Sequence, residues 1–134
     1  MSLPTIRGLF VIAGAYDFAL GLAFLLFGPR IYSAAGVKPP NHWGYVEFAA
    51  LLLMVFGVMF FAVARDPARN RNLIPYGMLL KLSYAGLVVY YWATIDCPMM
   101  FKPFAVIDAA MLVLFGMAYM RLSGPVLKAA ATGP

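Results

Sequence analysis

Apolar residues fill four long stretches of the chain, and helix breakers separate them. The first stretch runs from Gly8 to Phe27 and meets Gly28-Pro29-Arg30. The second, Trp43 to Ala64, meets Arg65-Asp66-Pro67, and the third, Leu73 to Ile95, meets Asp96-Cys97-Pro98. The fourth runs from Pro103 to Met120 and ends at Arg121. Its Pro103 stands in the first turn, where a helix tolerates proline. Each stretch is close to the ~20 residues with which a helix crosses ~30 Å of hydrocarbon. The pattern predicts one all-α domain over residues 1–134, an integral membrane four-helix bundle, up-and-down with short loops. Arg7 and Ser33-Ala34-Ala35 around the first stretch resemble signal-peptide flanks. Signal cores run only ~7–15 residues, so this stretch reads as a retained helix.

Composition sharpens that picture. Of 134 residues, 64% are hydrophobic and 11% charged, against ~45–50% apolar and ~25% charged in soluble domains. A water-soluble core and a disordered chain are both excluded, and the single Cys97 excludes a disulfide scaffold. The net charge of +5 does not point to nucleic acid, because the cations stand mostly at the edges of apolar stretches. There they set topology. The N-terminus, second loop and tail hold Arg7, Arg65, Arg69, Arg71, Arg121 and Lys128, six cations against Arg30, Lys38 and Lys102 in the other two loops. The bias predicts both termini in the cytoplasm. Trp43, Tyr45, Tyr90, Tyr91 and Trp92 then gather at the outer interface. The loop Arg30–His42 is expected to hold a short interfacial helix before Pro39-Pro40, and the tail after Leu122 to be mobile.

Four ionisable residues fall inside the apolar stretches: Asp17, Glu47, Lys81 and Asp108. A charge at the bilayer centre costs about 2.5–3.5 kcal/mol on insertion scales, so such groups face the bundle interior or a cavity. Asp17 follows Arg7 by ten residues and Lys81 follows Arg71 by ten. Equal depth and opposite sign predict an Asp17–Lys81 pair near the midplane, about 15 Å in. Glu47 and Asp108 lie soon after His42 and Lys102, about 8–9 Å below the outer surface, and are expected to form an outer acidic site. Helical spacing puts Asp17 on a stripe with Gly14, Gly21 and Gly28, and Glu47 with Ala50, Met54 and Gly57. It puts Lys81 with Gly77, Tyr84, Val88 and Tyr91, and Asp108 with Met111, Phe115 and Tyr119. A structural account stands beside the functional one. The pair can serve only to fix helix register, and the two outer acids can rest on the positive ends of their helices. Three acids against one base, however, leave negative charge that pairing within the spans does not neutralise.

Other chemistry is narrowed by absence. One histidine, His42, excludes a bis-histidine haem and argues against a zinc centre. One cysteine excludes a dithiol couple, and no phosphate-binding glycine loop or nucleophile elbow is present. No metal and no cofactor is expected. Cys97, Met99 and Met100, with His42, are soft ligands of the kind that bind Cu(I). With nine methionines in the chain, packing is the more ordinary role for Met99 and Met100.

The stretch Tyr45-x-Glu47, Leu52-Leu53-x-x-Phe56-Gly57, Ala64-Arg65-Asp66-Pro67-x-Arg69 and Gly77-x-x-x-Lys81, followed by Pro103-Phe104-x-x-x-Asp108, resembles small bacterial four-helix membrane proteins of the DoxX-like group. The resemblance covers most of the chain. It implies a bundle in the bacterial inner membrane and an accessory role beside quinone-linked oxidoreductases. A more distant similarity, of architecture and intramembrane acids only, links it to the sterol-isomerase-like four-helix group. The expected function is that of an accessory subunit or lipophilic-ligand-binding protein rather than an enzyme. Its polar cluster is Asp17, Glu47, Lys81 and Asp108 with Tyr84 and Tyr91. Its expected partners are the lipid bilayer, a membrane protein or second copy, and a lipophilic small molecule. The alternative is a membrane enzyme with isomerase-like acid–base chemistry, or a proton- or cation-coupled carrier, using the same acids.

Overall fold

The computed structural model describes residues 1–124 and 132–133. Lys128 and most of the tail for which the sequence predicts mobility lie outside the described residues. Four helices are long and apolar enough to cross a membrane, and no strand occurs among the described residues. They are α1 (Leu3–Ala34), α2 (Gly44–Arg65), α3 (Ile74–Thr94) and α4 (Lys102–Arg121). Short 3-10 turns, Arg71–Leu73 and Met99–Phe101, lead into α3 and α4.

The first helix departs from the sequence expectation at both ends. It starts at Leu3 rather than Gly8, because Ser2 caps it by accepting a hydrogen bond from the Thr5 N–H at 3.3 Å and a proline occupies its first turn. It also continues through Gly28-Pro29-Arg30. Proline lacks an N–H and its ring crowds the carbonyl four residues back. Here that perturbation bends the helix at Phe27 (φ −125°, ψ 17°) instead of ending it. Beyond the kink, Tyr32 packs edge-on against Trp43 at 5.2 Å and near Phe24 and Phe101, which holds the extra turns in place. The helix stops at Gly36 (φ +66°), where the Gly36 and Val37 N–H groups bond back to the Ser33 and Tyr32 carbonyls. This is the left-handed glycine stop that satisfies the last carbonyls. The short interfacial helix expected within Arg30–His42 is thus the bent end of α1.

Neighbouring helices run antiparallel. Along α1 and α2, Gly14 lies against Gly57, Gly21 against Ala50 and Gly28 against Trp43 and Val46. A Cβ at Gly21 would sit 2.5 Å from the Ala50 carbonyl oxygen, so only glycine permits this approach. Along α3 and α4, Gly77 lies against Phe115, and Tyr84 against Phe101. Where the termini gather, Phe10, Phe60 and Phe115 interlock with ring centroids 4.7–6.0 Å apart, bringing α1, α2 and α4 together. Ile6, Val63, Ile74, Ala118 and Leu122 complete this core. The same end is tied by polar contacts. Arg71 stacks over Tyr119 at 3.6 Å, bonds the Tyr119 carbonyl at 3.1 Å and donates to the Ser123 hydroxyl. Arg121 reaches the Met1 carbonyl at 3.1 Å. Large apolar side chains such as Ile12, Phe48, Val55, Leu79 and Val113 face outward. In water that would be a liability; in hydrocarbon it is the expected outer surface.

Candidate functional site

Midway along the bundle, Lys81 on α3 reaches both carboxylates of the opposing helices. Its ammonium donates to Asp17 Oδ1 on α1 at 2.7 Å and to Asp108 Oδ1 on α4 at 3.0 Å. Asp17 and Lys81 are fully buried and Asp108 nearly so. The rings of Tyr16 and Phe60 lie 5.4 and 5.7 Å from the ammonium, within cation–π range. This triad joins three helices through one cation. Two carboxylates and one ammonium carry a surplus negative charge in their ionised forms. Two buried polar atoms beside it have no hydrogen-bond partner, Asp17 Oδ2 and the Tyr16 hydroxyl oxygen. A buried polar group left so costs about 1–3 kcal/mol, and such groups mark places where a partner is wanted.

A cavity of about 530 Å³ adjoins the triad. Tyr16, Asp17 and Gly21 of α1, Ala50 and Leu53 of α2, and Tyr84 and Asp108 of α3 and α4 are among its walls. Its surface is almost wholly apolar, with the two carboxylates as its charged groups. Tyr45, Ala49 and Leu52 line it and are exposed on α2, so the rim opens on the exposed outer surface of the bundle. Tyr84 donates its hydroxyl to the Phe101 carbonyl at 3.1 Å and closes one wall.

The sequence-derived cluster is regrouped by this geometry. Asp17 and Lys81 meet as their equal depth implied. Asp108 joins them instead of pairing with Glu47 in an outer acidic site. The depth count for Asp108 started from Lys102 as if that residue lay at the membrane surface. In fact the Tyr84–Phe101 hydrogen bond sets the start of α4 beside the middle of α3. In the intervening loop Asp96 has a positive φ (144°), and its carboxylate accepts the Cys97 N–H at 2.7 Å and faces Lys102 at 3.5 Å. The Lys102 ammonium lies 4.7 Å from the Trp92 ring, in the last turn of α3. Glu47 is exposed in the first turn of α2 and does not line the cavity. Tyr91 is likewise exposed, off the face that carries Lys81. The residue that sequence reasoning passed over is Tyr16, whose position next to Asp17 was its only signal.

Among the described residues no three His, Cys, Asp or Glu side chains come together as metal ligands would. Cys97 is buried against Val88 and Ala105, and Met99 faces outward. His42 Nδ1 accepts the Gly44 N–H at 2.9 Å. Comparison of the chain with family models, with curated proteins and with solved structures found no match.

Proposed function

We propose that this protein binds a lipophilic small molecule within its four-helix bundle. The observation that carries the reading is the apolar cavity of about 530 Å³ ending on the buried Asp17–Lys81–Asp108 triad. Its volume falls in the range of small-molecule sites, about 300–1,000 Å³, and its walls have the usual form of such sites, apolar with a few convergent polar groups. The exposed rim residues Tyr45 and Leu52 give a path from the bilayer, so the ligand arrives from lipid rather than from water. The excess of cations at the terminal side supports a bacterial inner-membrane setting with both termini in the cytoplasm. The DoxX-like resemblance supports the same setting and an accessory role, in which the bound lipophile serves a partner enzyme.

Native mass spectrometry of the protein released gently from its own membranes tests the reading. A reproducible adduct of small-molecule mass is expected. Ala49→Trp, which fills the cavity from its rim, should remove the adduct, and Glu47→Gln, outside the cavity, should keep it. A bare chain, or an adduct indifferent to Ala49→Trp, refutes the proposal.

A further inference from the structure

The polar end of the cavity selects the charge of what binds there. Asp17 and Asp108 both line it, and the only cation bonded to them among the described residues, Lys81, already spends one N–H on each of them. Asp17 Oδ2 remains an acceptor without a donor, fully buried on a residue of the cavity wall. A ligand group placed there must donate hydrogen bonds. A positive one also offsets the surplus carboxylate charge, and charge-assisted hydrogen bonds are roughly twice as strong as neutral ones. The walls around the two acids suit a cation as well. Tyr16, Phe24, Tyr32, Tyr84, Phe101 and Phe104 line the same cavity, and the Tyr16 ring already stands within cation–π range of the Lys81 ammonium. A carboxylate or phosphate in this place would face two like charges in an apolar surround, which is strongly unfavourable.

We infer that the site takes a lipophilic amine, a protonated primary or secondary amine on an apolar body with no anionic group, its N–H directed at Asp17 Oδ2 beside Asp108. This rests on the ligand-binding reading above. The ammonium then faces two carboxylates shared with Lys81, which gives two positive and two negative charges in one buried cluster. Phosphatidylethanolamine also offers an ammonium, but its adjoining phosphate would meet Asp108.

The test compares head groups on one tail. Protein in nanodiscs of phosphatidylcholine is given dodecylamine, 1-dodecanol, dodecanoate or dodecane at equal bilayer mole fraction, and adducts are counted by native mass spectrometry. Additional discs contain phosphatidylethanolamine. Dodecylamine should be favoured over dodecanol by about tenfold or more, the difference between a charge-assisted and a neutral hydrogen bond. Dodecanoate and phosphatidylethanolamine should give no specific adduct. Asp108→Asn should reduce the amine preference to within a few-fold of the alcohol while leaving alcohol binding in place. That second readout shows that the variant is still folded. Equal binding of amine and alcohol, or binding of dodecanoate or phosphatidylethanolamine as tight as the amine, overturns the inference while the cavity reading stands. Failure of all four chains to bind overturns the cavity reading itself, and the inference with it.

Discussion

Replacing Lys81 with methionine keeps the length and bulk of the side chain and removes only the ammonium. That ammonium lies 2.7 Å from Asp17 and 3.0 Å from Asp108. Without it, two buried carboxylates face each other with oxygens no more than about 6 Å apart, which at an effective dielectric near 20 is a repulsion of about 3 kcal/mol. Removing one partner from a buried ion pair costs about 3–5 kcal/mol by general experience, so the two routes agree. Lys81→Met should therefore destabilise the bundle by about 3–5 kcal/mol. The triple variant Asp17→Asn/Lys81→Met/Asp108→Asn removes the charges together and should recover most of the loss, because neutral replacements of whole buried ion clusters are often tolerated. Unfolding in mixed micelles at rising SDS mole fraction, followed by the fluorescence of Trp43 and Trp92, measures both variants. A Lys81→Met protein within about 1 kcal/mol of wild type, or a triple variant no more stable than the single one, would refute a stabilising role for the Lys81 charge.

Two glycines should respond oppositely to alanine. Gly21→Ala places a Cβ 2.5 Å from the Ala50 carbonyl and 2.7 Å from Met54 Cγ, and should cost about 1–3 kcal/mol by overpacking. Gly86, within α3, has nothing within 4 Å of such a Cβ, and Gly86→Ala should be neutral or stabilising by up to about 1 kcal/mol; the same SDS titration reads both. Phe115→Ala opens the ring cluster of Phe10 and Phe60 and should cost about 3–5 kcal/mol. Because that cluster lies on the other side of the triad from the cavity rim, any Phe115→Ala protein that remains folded should retain its adduct in native mass spectrometry.

Four helices long and apolar enough to cross a membrane are legible in the sequence, since hydrocarbon admits few backbone solutions and twenty-residue apolar stretches between breakers name one of them. The Asp17–Lys81 contact was legible for a related reason. Both residues are counted from cations at the same end of the bundle along rigid helices of fixed rise. Asp108 defeated the same count because its helix begins inside the bundle, and that depends on how the Asp96–Phe101 segment folds back to meet Tyr84. Gly28-Pro29-Arg30 has the local signature of a helix stop, and packing of Tyr32 on Trp43 makes it a kink instead. Glu47 and Tyr91 show the limit of periodicity. A stripe says which residues share a face, and only the neighbouring helices decide how far round each helix burial extends, so Glu47 stays exposed although Trp43 and Val46 of the same turn pack on Gly28, and Tyr91 stays exposed although Val88 is buried. The sequence by itself determined the class of the fold, the number of helices long and apolar enough to cross a membrane, and three of the buried charges, Asp17, Lys81 and Asp108, because these follow from local hydropathy and chain geometry. Only the tertiary structure decided that one lysine serves two acids, and that Asp17 Oδ2 and the Tyr16 hydroxyl stand unpartnered by a cavity. Those facts depend on side chains from three different helices arriving at one point, and no local pattern along the chain encodes that distance.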